Sequence, residues 1–175
     1  PGDLGQHSLA SLYAEVAERA VAAAGDLPLI LTGHLHVAGG EVSELSERRI
    51  VVGGQEAEAA SLFDSRAAYV ALGHLHRPQT ITAAMPVRYA GSPFPLSATE
   101  RGYRHSFTVV EFVGTKANWR EVPIPRPVPF LAVPADGAAS LDEVISELEA
   151  LVIDPDTPPG KRPFLEISVA VDGPD

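Results

Sequence analysis

The sequence predicts a layered α/β domain followed by a small β-α-β unit, and three observations carry that expectation. Apolar runs that stop at glycine recur at "PLILTGH", "RRIVVGG" and "AYVALGH"; short apolar runs closed this way favour buried strands over helices. Helix patterns precede and separate them, giving the alternation of a layered α/β domain. Four prolines then fall between residues 123 and 129, ahead of a strand, a strongly patterned helix and another strand.

Taken in order, Ser8 and "LASLYAEVAERAVAAAG" form the first helix pattern, with Leu9, Leu12, Tyr13, Val16, Ala20 and Val21 on one face. Ser8 suits the cap and Gly25 the terminus. "PLILTGH" is the first strand, "RRIVVGG" the second, "QEAEAASLF" a short helix and "AYVALGH" the third strand. "QTITAA", "PVRYAG", "HSFTVVEF" and "NWREVPI" are strand-like with only turn residues between them, which predicts an antiparallel meander. The proline run denies backbone donors to a sheet and stiffens the chain, so a domain boundary falls there, dividing residues 1–124 from 125–175. Beyond it, "SLDEVISELEALV" pairs Ser140 with Glu143 in a capping box and repeats Leu141, Val144, Ile145, Leu148, Leu151 and Val152 at helical spacing. "FLAV" and "PFLEISVAV" flank it as strands, in a unit with little room for further sheet partners.

With 175 residues, 45% of them apolar and 21% charged, the chain is long enough to bury a core and is not expected to be disordered. No apolar run approaches the roughly 20 residues of a membrane span, so a soluble, cytoplasmic protein with no membrane partner is expected. The absence of cysteine removes disulfides and thiolate ligands, leaving nitrogen and oxygen donors for any metal. A net charge of −10 argues against a surface that is basic throughout. Between Ser65 and Val110, however, Arg66, Arg77, Arg88, Arg101 and Arg104 face a lone acid, Glu100.

Four of the six histidines lie in two copies of "GHLH", at 33–36 and 73–76, each after a strand. Histidines at i and i+2 leave the same side of an extended segment, and a sheet fixes their Cα positions. That suits a metal site, although a proton shuttle, a phosphate contact or ordinary loop polarity remain open on this ground. His7 and His105 have no constellation around them and are expected at the surface.

"YVALGHLHRPQ", followed by "VRYAGSPFPLSATE" and "HSFTVVEF", resembles the second half of the nuclease domain in the SbcD family, within the calcineurin-like metallophosphoesterases. The resemblance implies the second half of an α/β/β/α sandwich, then a truncated β-α-β cap that positions DNA ends. It implies that His34, His74 and His76 are metal ligands, with His34 and His74 on one ion and His76 on the other of a two-metal site holding manganese, or else magnesium. His36 departs from the family pattern and is expected beside the site or incidental to it. Arg77, Arg88 and Ser92 are expected near the site, in contact with DNA phosphate. The implied activity is phosphodiester hydrolysis in DNA repair, recombination and replication, by a homodimer working with an SbcC-type ATPase. The family's Asp-x-His, GDxxD and GNHD motifs do not occur here, so no catalytic acid is assigned and this chain alone is expected to be inactive. Fold and GHxH do not choose a substrate. Two alternatives therefore stand: a phosphoesterase acting on nucleotides or phosphoproteins, and a non-catalytic docking or dimerisation module.

Overall fold

The computed structural model describes residues 9–43, 57–171 and 173. Its first helix, α1, spans Leu9–Ala24, and Gly25 closes it at φ 56 with its N–H on the Val21 carbonyl, the left-handed terminus that glycine adopts without a Cβ penalty. The expected Ser8 cap lies outside the described residues, as does the "RRIVVGG" strand. The buried stripe of α1 is narrower than its apolar pattern. Ala17 is buried and Tyr13 packs edge-on against Phe63, whereas Leu12 and Val16 are more than half exposed.

Strands β1 (Ile30–His34), β2 (Tyr69–Gly73), β3 (Gln79–Ile81) and β4 (Val87–Tyr89) make one sheet in the order β1-β2-β4-β3. β1 and β4 flank β2 in parallel, and β3 pairs with β4 antiparallel. The central strand β2 buries Tyr69 on one face and Val70 and Leu72 on the other, as a strand covered on both faces should. The core gathers around it from Val37, Phe63, Leu75, Ile81, Val87 and Tyr89. The expected helix at "QEAEAASLF" is reduced, within the described residues, to one 3-10 turn at Ala60–Leu62.

The expected meander is not what forms. β3 and β4 join the α/β sheet, because the apolar side chains of Ile81, Val87 and Tyr89 belong to the same core as β2. Only β5 (Ser106–Val113) and β6 (Lys116–Pro123) make a separate antiparallel hairpin, closed by Gly114 at φ 60 and Thr115, the short glycine loop that suits hairpin twist. Arg88 joins the two sheets. Its guanidinium lies 4.1 Å from the Trp119 ring centre, donates to Thr80 at 3.0 Å and Thr108 at 3.2 Å, and pairs with Glu121.

After the proline run, β7 (Phe130–Val133) pairs in parallel with β8 (Phe164–Ile167), and α2 (Leu141–Ala150) connects them. Both halves of the capping box are present: Glu143 N–H donates to Ser140 Oγ, and the Glu143 carboxylate accepts from Ser140 N–H. Val144 is buried, while Ile145, Phe164 and Ile167 stay exposed on this two-stranded unit. Arg101 ties it to the preceding residues through a 2.9 Å ion pair with Glu166. No helix among the described residues is long and apolar enough to cross a membrane.

Candidate metal centre

The parallel register sets Gly33 beside Leu72 and His34 beside Gly73, so both "GHLH" segments leave the sheet at the same edge. That edge, outside the carboxyl ends of parallel strands, is where open α/β sheets hold ligands. The His34 and His74 rings lie 5.4 Å apart at 67°. Two imidazoles sharing one cation, each at roughly 2.1 Å, put their ring centres roughly 5 Å apart, so this pair fits a common ion. His36 sits farther off, 6.5 Å from His74, with its Nε2 3.4 Å from the Gly40 carbonyl.

Two backbone features make the pair possible. Gly73, at the head of the second "GHLH", does not supply the turn; His74 does so itself, at φ 99. For a side chain this conformation costs on the order of 1–3 kcal/mol and persists where the surroundings enforce it, often at functional sites. Gly73 is needed for space instead. A Cβ there would stand 2.9 Å from His34 Nδ1.

His76 is arranged differently. Its Nδ1 lies 2.7 Å from Glu100 Oε1, and the Glu100 side chain is fully enclosed. Within the described residues, no three or more histidine, aspartate or glutamate side chains form a group able to hold a metal ion. The described residues thus offer one well-matched imidazole pair and a third imidazole held by a carboxylate. Neutral imidazoles do not offset the charge of two divalent cations, so the fit is to part of such a centre.

The "RYAGSP" segment braces both histidine loops. Tyr89 is fully buried; its hydroxyl donates to the Leu35 carbonyl at 2.7 Å and accepts from Val37 N–H at 2.9 Å, which fixes the first loop. Ser92 N–H donates to the His76 carbonyl at 2.9 Å, which fixes the second. Gly91, at φ 82, permits that approach, since a Cβ there would meet the His76 carbonyl at 2.6 Å.

The residues expected to touch phosphate divide. Arg77 is half exposed, paired with Glu41 and 5.8 Å from the Tyr103 ring centre. Arg88 is 3% exposed and Ser92 5%, both engaged by protein groups, so neither reaches a ligand without breaking the packing around it. The basic cluster is also less of a patch than its sequence suggests. Among the described residues, Arg66, Arg77, Arg88 and Arg101 each pair with an acid, and Arg104 alone of the five is exposed without one. His105, expected at the surface, is 5% exposed, because the start of β5 packs beneath the Ser92 loop and its Nδ1–H donates to the Ser92 carbonyl at 2.8 Å. Sequence reasoning missed Tyr89 and Glu100 altogether. A lone acid inside a basic segment was the available signal for Glu100.

No family model matches the chain. Its relatives are components of a nuclease. Each is the SbcD subunit of the nuclease SbcCD: that of Rhodobacter capsulatus is 47% identical over 95% of this chain, that of Bacillus subtilis 45% over 71%, and that of Escherichia coli K12 39% over 72%. The chain spans 40%, 32% and 33% of these relatives' own lengths. It is the SbcD family that this chain resembles, along nearly all of its residues.

Proposed function

We propose that this chain is the part of an SbcD-type DNA nuclease that supplies the histidine side of a two-metal centre. The observation that carries this reading is the His34–His74 ring pair, 5.4 Å apart at the carboxyl edge of adjacent parallel strands. Two divalent ions, manganese foremost and magnesium as the substitute, would supply an activated water and charge stabilisation for in-line attack on a phosphodiester. His34 and His74 would serve one ion, and His76 the second. Arg77 attracts phosphate. Its pair with Glu41 is solvent-exposed and is therefore exchanged for phosphate at little cost.

The balancing carboxylates and the leaving-group acid belong, in this reading, to the remainder of an SbcD-type protein, and the 175 residues alone do not catalyse. The complete protein would act in the cytoplasm as a homodimer with an SbcC-type ATPase, in DNA repair, recombination and replication. Its cap, from residue 125 onward, would position DNA ends. These assignments rest on the likeness to the SbcD relatives.

The test is manganese binding by the chain, followed by paramagnetic broadening of histidine signals, alongside manganese-dependent digestion of linear duplex DNA by a complete protein carrying this segment. His74→Ala is expected to abolish digestion and to remove the broadening of His34. Digestion that survives His74→Ala would refute the ligand assignment.

A further inference from the structure

We infer that Glu100 is a positioning residue for His76, fixing both the direction of its ring and the nitrogen that carries its proton, with the Ser92 loop as the second arm of the same clamp. This rests on the reading of His76 as a metal ligand and adds to it the residue that makes His76 fit for that role.

A carboxylate with 0% exposure must be satisfied by donors or it destabilises the fold. The donors to Glu100 include His76 Nδ1 at 2.7 Å on Oε1, and Ser92 Oγ and Leu96 N–H, both at 3.0 Å, on Oε2. An ionised carboxylate only accepts hydrogen bonds. The proton of a neutral His76 therefore sits on Nδ1, which leaves Nε2 as the lone-pair nitrogen. Carboxylate–imidazole–metal chains work in this way, the carboxylate setting tautomer and orientation while raising ligand basicity.

The backbone is held at the same point, because Ser92 N–H donates to the His76 carbonyl at 2.9 Å and Ser92 Oγ donates to Glu100. Ser92 thus couples the two arms, one on the main chain of His76 and one on its ring. Glu100 itself is placed by the 3-10 turn Ala98–Glu100, whose preceding loop returns the Leu96 N–H to its own carboxylate. The "GSPFPLSATE" stretch is, on this view, a brace built around one imidazole.

The experiment is long-range proton–nitrogen correlation of the histidine rings in the metal-free chain, then titration with Mn²⁺ alone. The expected wild-type result is a His76 ring whose Nδ1 carries a proton hydrogen-bonded to Glu100. Glu100→Gln is expected to mix the tautomers and to require about 10- to 100-fold more Mn²⁺ to broaden His76, with His34 and His74 broadened as before. A wild-type His76 without a proton on Nδ1 would overturn the inference, and so would a Glu100→Gln chain that keeps tautomer and Mn²⁺ dependence unchanged. If Glu100→Gln does not fold, the wild-type tautomer still decides, with Ser92→Ala expected to shift the same signals in the same direction. A correct tautomer with no Mn²⁺ effect on any of the three rings would instead count against the metal-centre reading, leaving the Glu100 clamp in place.

Discussion

His74 bears two demands at once, a ring aimed toward His34 and a backbone held at φ 99. The second opposes stability, because only glycine takes such a φ without penalty. His74→Gly and His74→Ala both remove the ring, but only glycine relieves the backbone. The glycine variant is expected to be more stable than the alanine variant by about 1 kcal/mol, measured by urea denaturation, and equal stabilities would mean that the conformation is unstrained. Gly73 poses the opposite question. Gly73→Ala sets a methyl group against the His34 ring and is expected to weaken Mn²⁺ broadening of His34 while the chain stays folded, as read by circular dichroism. Tyr89→Phe deletes the hydroxyl that serves Leu35 and Val37. A buried N–H without its acceptor costs about 1–3 kcal/mol, and a loss of that size is expected in the same denaturation assay.

Elements are joined by few but well-placed contacts. The β5–β6 hairpin meets the main sheet through Arg88, whose stacking on Trp119 and bonds to Thr80, Thr108 and Glu121 bridge β4, β3 and both hairpin strands. Removing one partner of a fully buried pair costs about 3–5 kcal/mol. Because the Glu121 side chain is 32% exposed, Arg88→Met is expected to lose less than that range, with amide exchange accelerating first in β5 and β6. Helix α1 is tied down from outside by Glu18–Arg66–Asp64. The hydrogen bonds from Arg66 hold the Asp64 carboxyl down at about 2. A folded-state value below the unfolded one gives stability that is present above about pH 4 and is lost as the pH falls toward 2. Asp64→Asn is expected to flatten the acid limb of a stability–pH curve in that window. An unchanged curve would show that the pair adds nothing.

At the scale of the whole molecule, a charge of −10 and four of five local arginines already paired leave, among the described residues, little free positive surface around the histidine edge. If Arg77 and Arg104 are the only phosphate contacts, the logarithm of the DNA association constant should fall with the logarithm of salt at a slope of about −2. Fluorescence anisotropy across a salt series measures it. A much steeper slope would mean that a larger basic surface is engaged. The second unit adds exposed apolar residues on α2 and β8 and meets the preceding residues at Arg101, which bonds Glu166 and Ala135, and in a cavity where Phe130 and Phe164 face Pro93 and Phe94.

The sequence by itself determined what depends on neighbours along the chain. The apolar runs of β1 and β2, the capping box of α2 and the placement of two "GHLH" segments at strand ends all follow from periodicity and local hydrogen bonding. What the tertiary structure alone decided depends on segments distant in sequence. β4 inserts between β2 and β3 because a shared core outweighs the short turns that suggested a meander. Arg88, expected from the sequence to be part of a basic cluster and to touch phosphate, is instead drawn inward by Trp119 and Glu121 on a hairpin that forms later in the chain. Glu100, which looked like a stray acid, meets His76 across 24 positions. Local patterns report the conformation of a segment, whereas the partner of a buried charge is chosen when distant segments close upon one another, and no spacing along the chain records that choice.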